Sequence, residues 1–113
     1  MLNDWKAQLS NARTASTALS EANPKIVEAF HGFRTAQMSY EHLDAKMREL
    51  IALAVAVTTR CDSCIASHAQ AARKAGASEG EVGEALGTAI ALNAGAAYAY
   101  SNRAMEAFRQ FAE

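Results

Sequence analysis

Proline occurs once in these 113 residues and cysteine only twice, while basic runs and Asn-Gly or Asp-Gly turns are missing altogether. Each scarcity excludes something. With one proline and abundant alanine the chain is biased toward helix, because alanine has the best helix propensity and proline the worst. Without a tight hairpin signal between alternating strands, nothing argues for a sheet. The formal net charge is −1, so there is no electrostatic footprint for nucleic acid or an anionic membrane. No apolar run suits a bilayer: 50–57 is too short, and 86–100 is interrupted by Gly87, Asn93 and Gly95. The N-terminal residues lack the apolar core of an export signal, so the expected location is cytoplasmic. Thiols stay reduced there, and a close cysteine pair is more often catalytic or metal-binding than a permanent cross-link.

Half of the chain is hydrophobic and a fifth is charged, which suits a globular domain with a modest core and not a disordered chain. No repeat, linker or boundary divides it, so residues 1–113 are expected to form a single domain. The fold class is all-α, a helical bundle of about five or six helices. The first helix is expected from about Asp4 to Leu19, with Trp5, Leu9 and Ala12 near one face. Asn23-Pro24 opens the second, Asn as the cap and Pro where its missing N–H is harmless. Ile26, Val27, Phe30 and Phe33 give it an apolar face for burial, and it ends near Met38. Asp44 caps the third, whose Leu53, Val55 and Val57 mimic strand alternation but sit among good helix formers. A fourth begins at Cys61 or Asp62 and stops at Gly76, a left-handed cap. Ser78 and Glu81 form a capping box that opens the last, expected to break or bend near Asn93–Gly95 before continuing to about Phe111.

The chemistry concentrates in "RCDSCIASHAQ", residues 60–70, which holds both cysteines and a histidine. On a helix, Cys61, Cys64 and His68 fall within a sector of roughly 60°. Cys61 sits at the helix N-terminus, where the dipole and unpaired N–H groups favour thiolate over thiol. His68, one turn beyond Cys64, can accept a thiol proton or stabilise the thiolate. Asp62 works weakly against both. Upstream, Glu49 precedes a near-continuous apolar run, where an unpartnered carboxylate is costly to bury. If its helix and the cysteine-bearing helix form an antiparallel pair, Glu49 could reach His68 and relay a proton. On spacing alone, metal binding, a structural cross-link and thiol redox all remain open. A closed zinc site needs a fourth ligand, a catalytic one needs three plus water, and His31 and His42 are the remaining histidines. A thioredoxin-type motif is excluded by context, since it follows a strand.

The pattern Glu-x11-Cys-x2-Cys-x3-His at Glu49, Cys61, Cys64 and His68 resembles the signature of the alkyl hydroperoxidase D-like (AhpD-like) proteins of the carboxymuconolactone decarboxylase superfamily. The likeness runs from Met47 to Leu86, within a motif core of 44–92. It implies an all-helical fold assembled as trimers or hexamers, and a thiol-dependent peroxidase with no cofactor and no metal. Carried over, Cys64 is the peroxide-attacking thiolate, Cys61 the proton donor and resolving thiol, and Glu49 with His68 the proton relay. The substrate is then a peroxide, and the reductant a dithiol, a lipoyl protein or a thioredoxin-like one. One position departs from the family: Ser63 stands where the founding peroxidase has a histidine. The alternatives are a non-enzymatic redox-sensing or assembly module, and a lactone decarboxylase, which would need neither thiol. The small-residue stretch 89–100 is expected at a subunit interface, because so small a monomer cannot easily bury it. Leu86, Ala89, Ile90 and Leu92 read as core or interface.

Overall fold

The computed structural model describes residues 2–39 and 41–113. Among them the regular elements are five α-helices and no strand: α1 Trp5–Ala22, α2 Pro24–Gln37, α3 Ala45–Thr59, α4 Asp62–Lys74 and α5 Glu79–Gln110. The fold is all-α, and the starts lie where side-chain oxygens can cap them. Asp4, Asn23, Asp44 and Ser78 each accept a backbone N–H from the first turn of the helix they open. At α5 the box is reciprocal: Glu81 N–H donates to Ser78 Oγ at 3.1 Å, and Ser78 N–H to Glu81 Oε1 at 3.0 Å. Gly76 takes φ 86°, a left-handed conformation that favours glycine, and turns the chain from α4 toward α5.

Helix α3 packs on both α4 and α5, α1 packs on α4, and α2 touches only α1 among the described residues. The core sits where the first three meet. Leu50, Leu53, Ala72 and Ala77 are buried there, with Val82 and Ala85 packed against them. Lys46 Nζ reaches Glu81 Oε2 at 2.8 Å, tying the starts of α3 and α5 together. The hydrogen bond from Lys46, and then the Ser78 N–H, hold the Glu81 carboxyl below its ordinary value; the same bond to Glu81 raises Lys46 above its own. For Glu81, whose folded value is depressed, the stabilisation is present above the unfolded value and lost as pH falls through the folded one. For Lys46 it is present below the ordinary 10.5 and lost as pH rises through the raised value. Lys46→Met is therefore expected to lower the urea midpoint slightly at neutral pH and not at all in strong acid, a small effect because the pair is solvent-facing. An equal loss at both would contradict the pairing.

Two expectations need correction. Helix α5 is unbroken at Asn93–Gly95. Asn93 Nδ2 donates to Ala89 O at 2.8 Å and to Thr58 Oγ1 of α3 at 2.9 Å, so the suspected breaker ties the helix to its neighbour. The α2 face is also not buried within the chain: Ile26, Phe30 and Phe33 remain exposed, and Val27 is half-buried. Every residue from 90 to 113 is exposed as well, because α5, at about 48 Å long, outruns the α3 helix it packs against.

The dimensions reflect these projections. The radius of gyration is 18.5 Å, against roughly 13 Å for a compact domain of this length. The exposed surface is 9144 Å², against about 6,000 Å² expected for this mass.

Candidate functional site

The site is built by the turn between α3 and α4. Arg60 ends α3 with φ 57° and ψ 49°, a left-handed conformation rare outside glycine, and Cys61 N–H returns to Ala56 O at 3.1 Å. This reversal lets α4 begin with no intervening loop and sets it against α3. Cys61 then caps α4. Its sulfur accepts the Cys64 N–H at 3.3 Å and lies 3.6 Å from Ser63 Oγ.

Cys61 and Cys64 are joined as a disulfide, with their Cα atoms 5.2 Å apart. Both are half-buried, so the sulfur pair is neither sealed in the core nor fully open to water. One turn along α4 from Cys64, His68 Nδ1 lies 2.6 Å from Glu49 Oε2 of α3. The two side chains expose 27% and 21% of their surface, enough burial to strengthen the contact without closing it to protons. An ionised carboxylate can only accept, so this bond places the proton on Nδ1 and leaves Nε2 as the basic nitrogen. An imidazole oriented this way can take a proton, and Glu49 stabilises the resulting cation.

The four residues singled out from the sequence thus stand in two contacting pairs on adjacent helices, Cys61 with Cys64 and Glu49 with His68. His31 and His42 lie apart from them as exposed residues. Tyr98 and Tyr100 are exposed on the outer half of α5, with Arg103 stacked over the Tyr100 ring at 4.8 Å. Of the apolar stripe, Ala89 is buried and Leu86 half-buried, while Ile90 and Leu92 are exposed. Among the described residues no three His, Cys, Asp or Glu side chains converge on a point that could hold a metal ion. None of the described helices is long and apolar enough to cross a membrane.

Two features of the site carry no plain signal in the sequence. Arg60 carries no glycine-like signal for its left-handed geometry. Ser63 stands out in the sequence only as a departure from the family, although its place two residues after a capping cysteine puts its hydroxyl within reach of that sulfur.

Known proteins place this arrangement in context. The chain is 56% identical over 108 residues to an uncharacterized protein of Haemophilus influenzae, covering 96% of each. It is 39% identical over 94 residues to an uncharacterized protein encoded in the cox locus of Paracoccus denitrificans, covering 80% of this chain and 85% of that one. A crystal structure of a carboxymuconolactone decarboxylase family protein from Legionella pneumophila, in its apo form, superposes with a TM-score of 0.72 at 30% identity, over 96% of this chain and 97% of that one. A Methanobacterium thermoautotrophicum protein superposes at 0.69 with 36% identity, over 75% of this chain and 96% of that one. Residues 24–113, α2 through the C-terminus, match the carboxymuconolactone decarboxylase family. A match over most of the chain, supported by the same fold in a family protein, makes this chain a member of the carboxymuconolactone decarboxylase family, within which its alkyl hydroperoxidase D-like motif fits.

Proposed function

We propose that this protein is a dithiol–disulfide oxidoreductase that reduces hydroperoxides, working as a single functional domain. The observation that carries the reading is the Cys61–Cys64 pair at the start of α4, one turn from a His68 bonded to Glu49. In the reduced protein, His68, held by Glu49, takes the Cys64 proton. The Cys64 thiolate attacks the peroxide oxygen, the O–O bond breaks, and the alkoxide leaves with a proton from Cys61 as an alcohol. Cys64 is then a sulfenic acid. The Cys61 thiolate attacks its sulfur, releasing hydroxide that is protonated to water and closing the disulfide. An external dithiol, lipoyl-borne or thioredoxin-like, restores both thiols by two exchanges. No metal or organic cofactor enters this cycle.

We further propose that the working form is a homo-oligomer. The chain exposes about 3,000 Å² beyond the scaling for its mass, more than the roughly 1,000–2,500 Å² that each partner contributes to a permanent interface. The α2 face and the outer half of α5 supply that surface. By resemblance the assembly is a trimer or hexamer.

One residue favours a second reading. With Ser63 in place of the family histidine, the same disulfide could act as a redox sensor, oxidised once per event without sustained turnover. The two are separated by following hydroperoxide loss with excess dithiol. Consumption of many equivalents per protein is expected for the enzyme. A single equivalent, followed by a change in oligomeric state, would instead establish the sensor.

A further inference from the structure

The two sulfurs of the pair are not equivalent, and their difference concerns the reductive half of the cycle. Cys61 Sγ accepts the Cys64 N–H at 3.3 Å and faces Ser63 Oγ at 3.6 Å. A disulfide sulfur carries no hydrogen, so in the oxidised protein the serine hydroxyl is the donor. Among the described residues no hydrogen bond reaches the Cys64 sulfur. Both donors on Cys61 stabilise negative charge on that sulfur more than on a neutral one, and the N-terminal end of α4 acts in the same sense.

In thiol–disulfide exchange the sulfur better able to carry charge is the one that leaves. We propose that Ser63 is a positioning residue that makes Cys61 the leaving thiolate, so that the reducing dithiol forms its mixed disulfide on Cys64. This rests on the dithiol–disulfide reading above and adds the direction of attack to it. The reductant thiolate attacks Cys64 Sγ and a new S–S bond forms there. The Cys61–Cys64 bond breaks, and its electron pair departs on Cys61 Sγ, met by the Ser63 O–H and the Cys64 N–H. The second thiolate of the reductant then attacks its own sulfur in the mixed disulfide and expels Cys64 as thiolate. Two electrons pass from the dithiol to the pair, and the two protons that the dithiol released on ionising reach Cys61 and Cys64 through solvent or His68. Ser63 thereby holds charge on one sulfur and carries no proton between groups.

The test begins with the oxidised wild-type protein. A brief exposure to glutathione, an acid quench and alkylation with N-ethylmaleimide give peptide 61–73, which holds both cysteines. Fragmentation between them is expected to place glutathione on Cys64 and maleimide on Cys61. Ser63→Ala should slow dithiothreitol reduction roughly fivefold. In a Cys64→Ala background it should also shift the Cys61 thiolate absorbance to higher pH. Ser63→Thr, which keeps the hydroxyl, should restore both, an outcome that a merely structural role would not produce. Glutathione found on Cys61, or a Ser63→Ala protein with unchanged rate and titration, would overturn the proposal. Neither readout involves peroxide, so failure of peroxidase turnover would count against the proposed function while these results still decide the role of Ser63.

Discussion

Cys64→Ser is expected to abolish dithiol-dependent peroxide consumption, a fall of at least about a thousandfold, because it removes the attacking thiolate and leaves Cys61 without a partner sulfur. Cys61→Ser should behave differently. Its Cys64 can still attack once, so one equivalent of peroxide disappears in a burst, after which turnover slows to the rate at which the external dithiol reduces the Cys64 sulfenic acid without Cys61. Glu49→Gln probes the remaining pair. Glutamine keeps the size of the side chain facing His68 Nδ1 but not its charge, so the imidazole loses both its fixed tautomer and the partner of its cation. Initial rates should fall by about a hundredfold near neutral pH. The deficit should shrink above the ordinary thiol value of about 8.5, where Cys64 ionises without help. A Glu49→Gln loss that persists unchanged at high pH would assign Glu49 a structural role only. If Cys64→Ser still turned over, the mechanism would be excluded.

Phe30→Glu is expected to convert the proposed oligomer to monomer and to destabilise the protein severely. Among the described residues the buried apolar ones are two leucines and five alanines, a thin core. Meanwhile Phe30, Ile26 and Phe33 of α2, with Met105, Phe108 and Phe111 at the end of the chain, stay exposed. A carboxylate introduced into such a surface, once covered by another copy, costs at least about 3 kcal/mol, more than a hundredfold in association. The wild-type melting temperature should rise with protein concentration, as it does whenever assembly contributes to folding, and that of Phe30→Glu should not. Sedimentation checks both. Wild-type protein found only as a stable monomer at micromolar concentration would remove this part of the account.

The positions of the helices were legible because their ends are marked by local chemistry. Asp4, Asn23, Asp44 and Ser78 can each reach a first-turn N–H, and Gly76 takes the conformation that costs it least. The contact of Glu49 with His68 could be anticipated because antiparallel neighbours bring the two helix faces together. What periodicity cannot say is which chain covers an apolar face. Ile26, Phe30 and Phe33 have the right spacing for burial, yet among the described residues α1 is the one helix that packs on α2, and these three stay exposed. Asn93 departs from expectation for a related reason: its helix-breaking tendency comes from side-chain competition for backbone partners, and here the side chain bonds within the helix and to Thr58. Arg60 is silent in the sequence because arginine has no preference for the left-handed backbone it takes here. The inequality of the sulfurs depends on a hydroxyl approach that spacing alone does not fix.

Intact mass before and after one equivalent of hydroperoxide, with and without a chelator, tests the central claim most directly. The reduced protein is expected to lose about two mass units, with one bond between Cys61 and Cys64, no metal released, and full recovery on adding a dithiol. Sulfurs that stay reduced with peroxide present, or that resist oxidation until a chelator strips a metal from them, would contradict it.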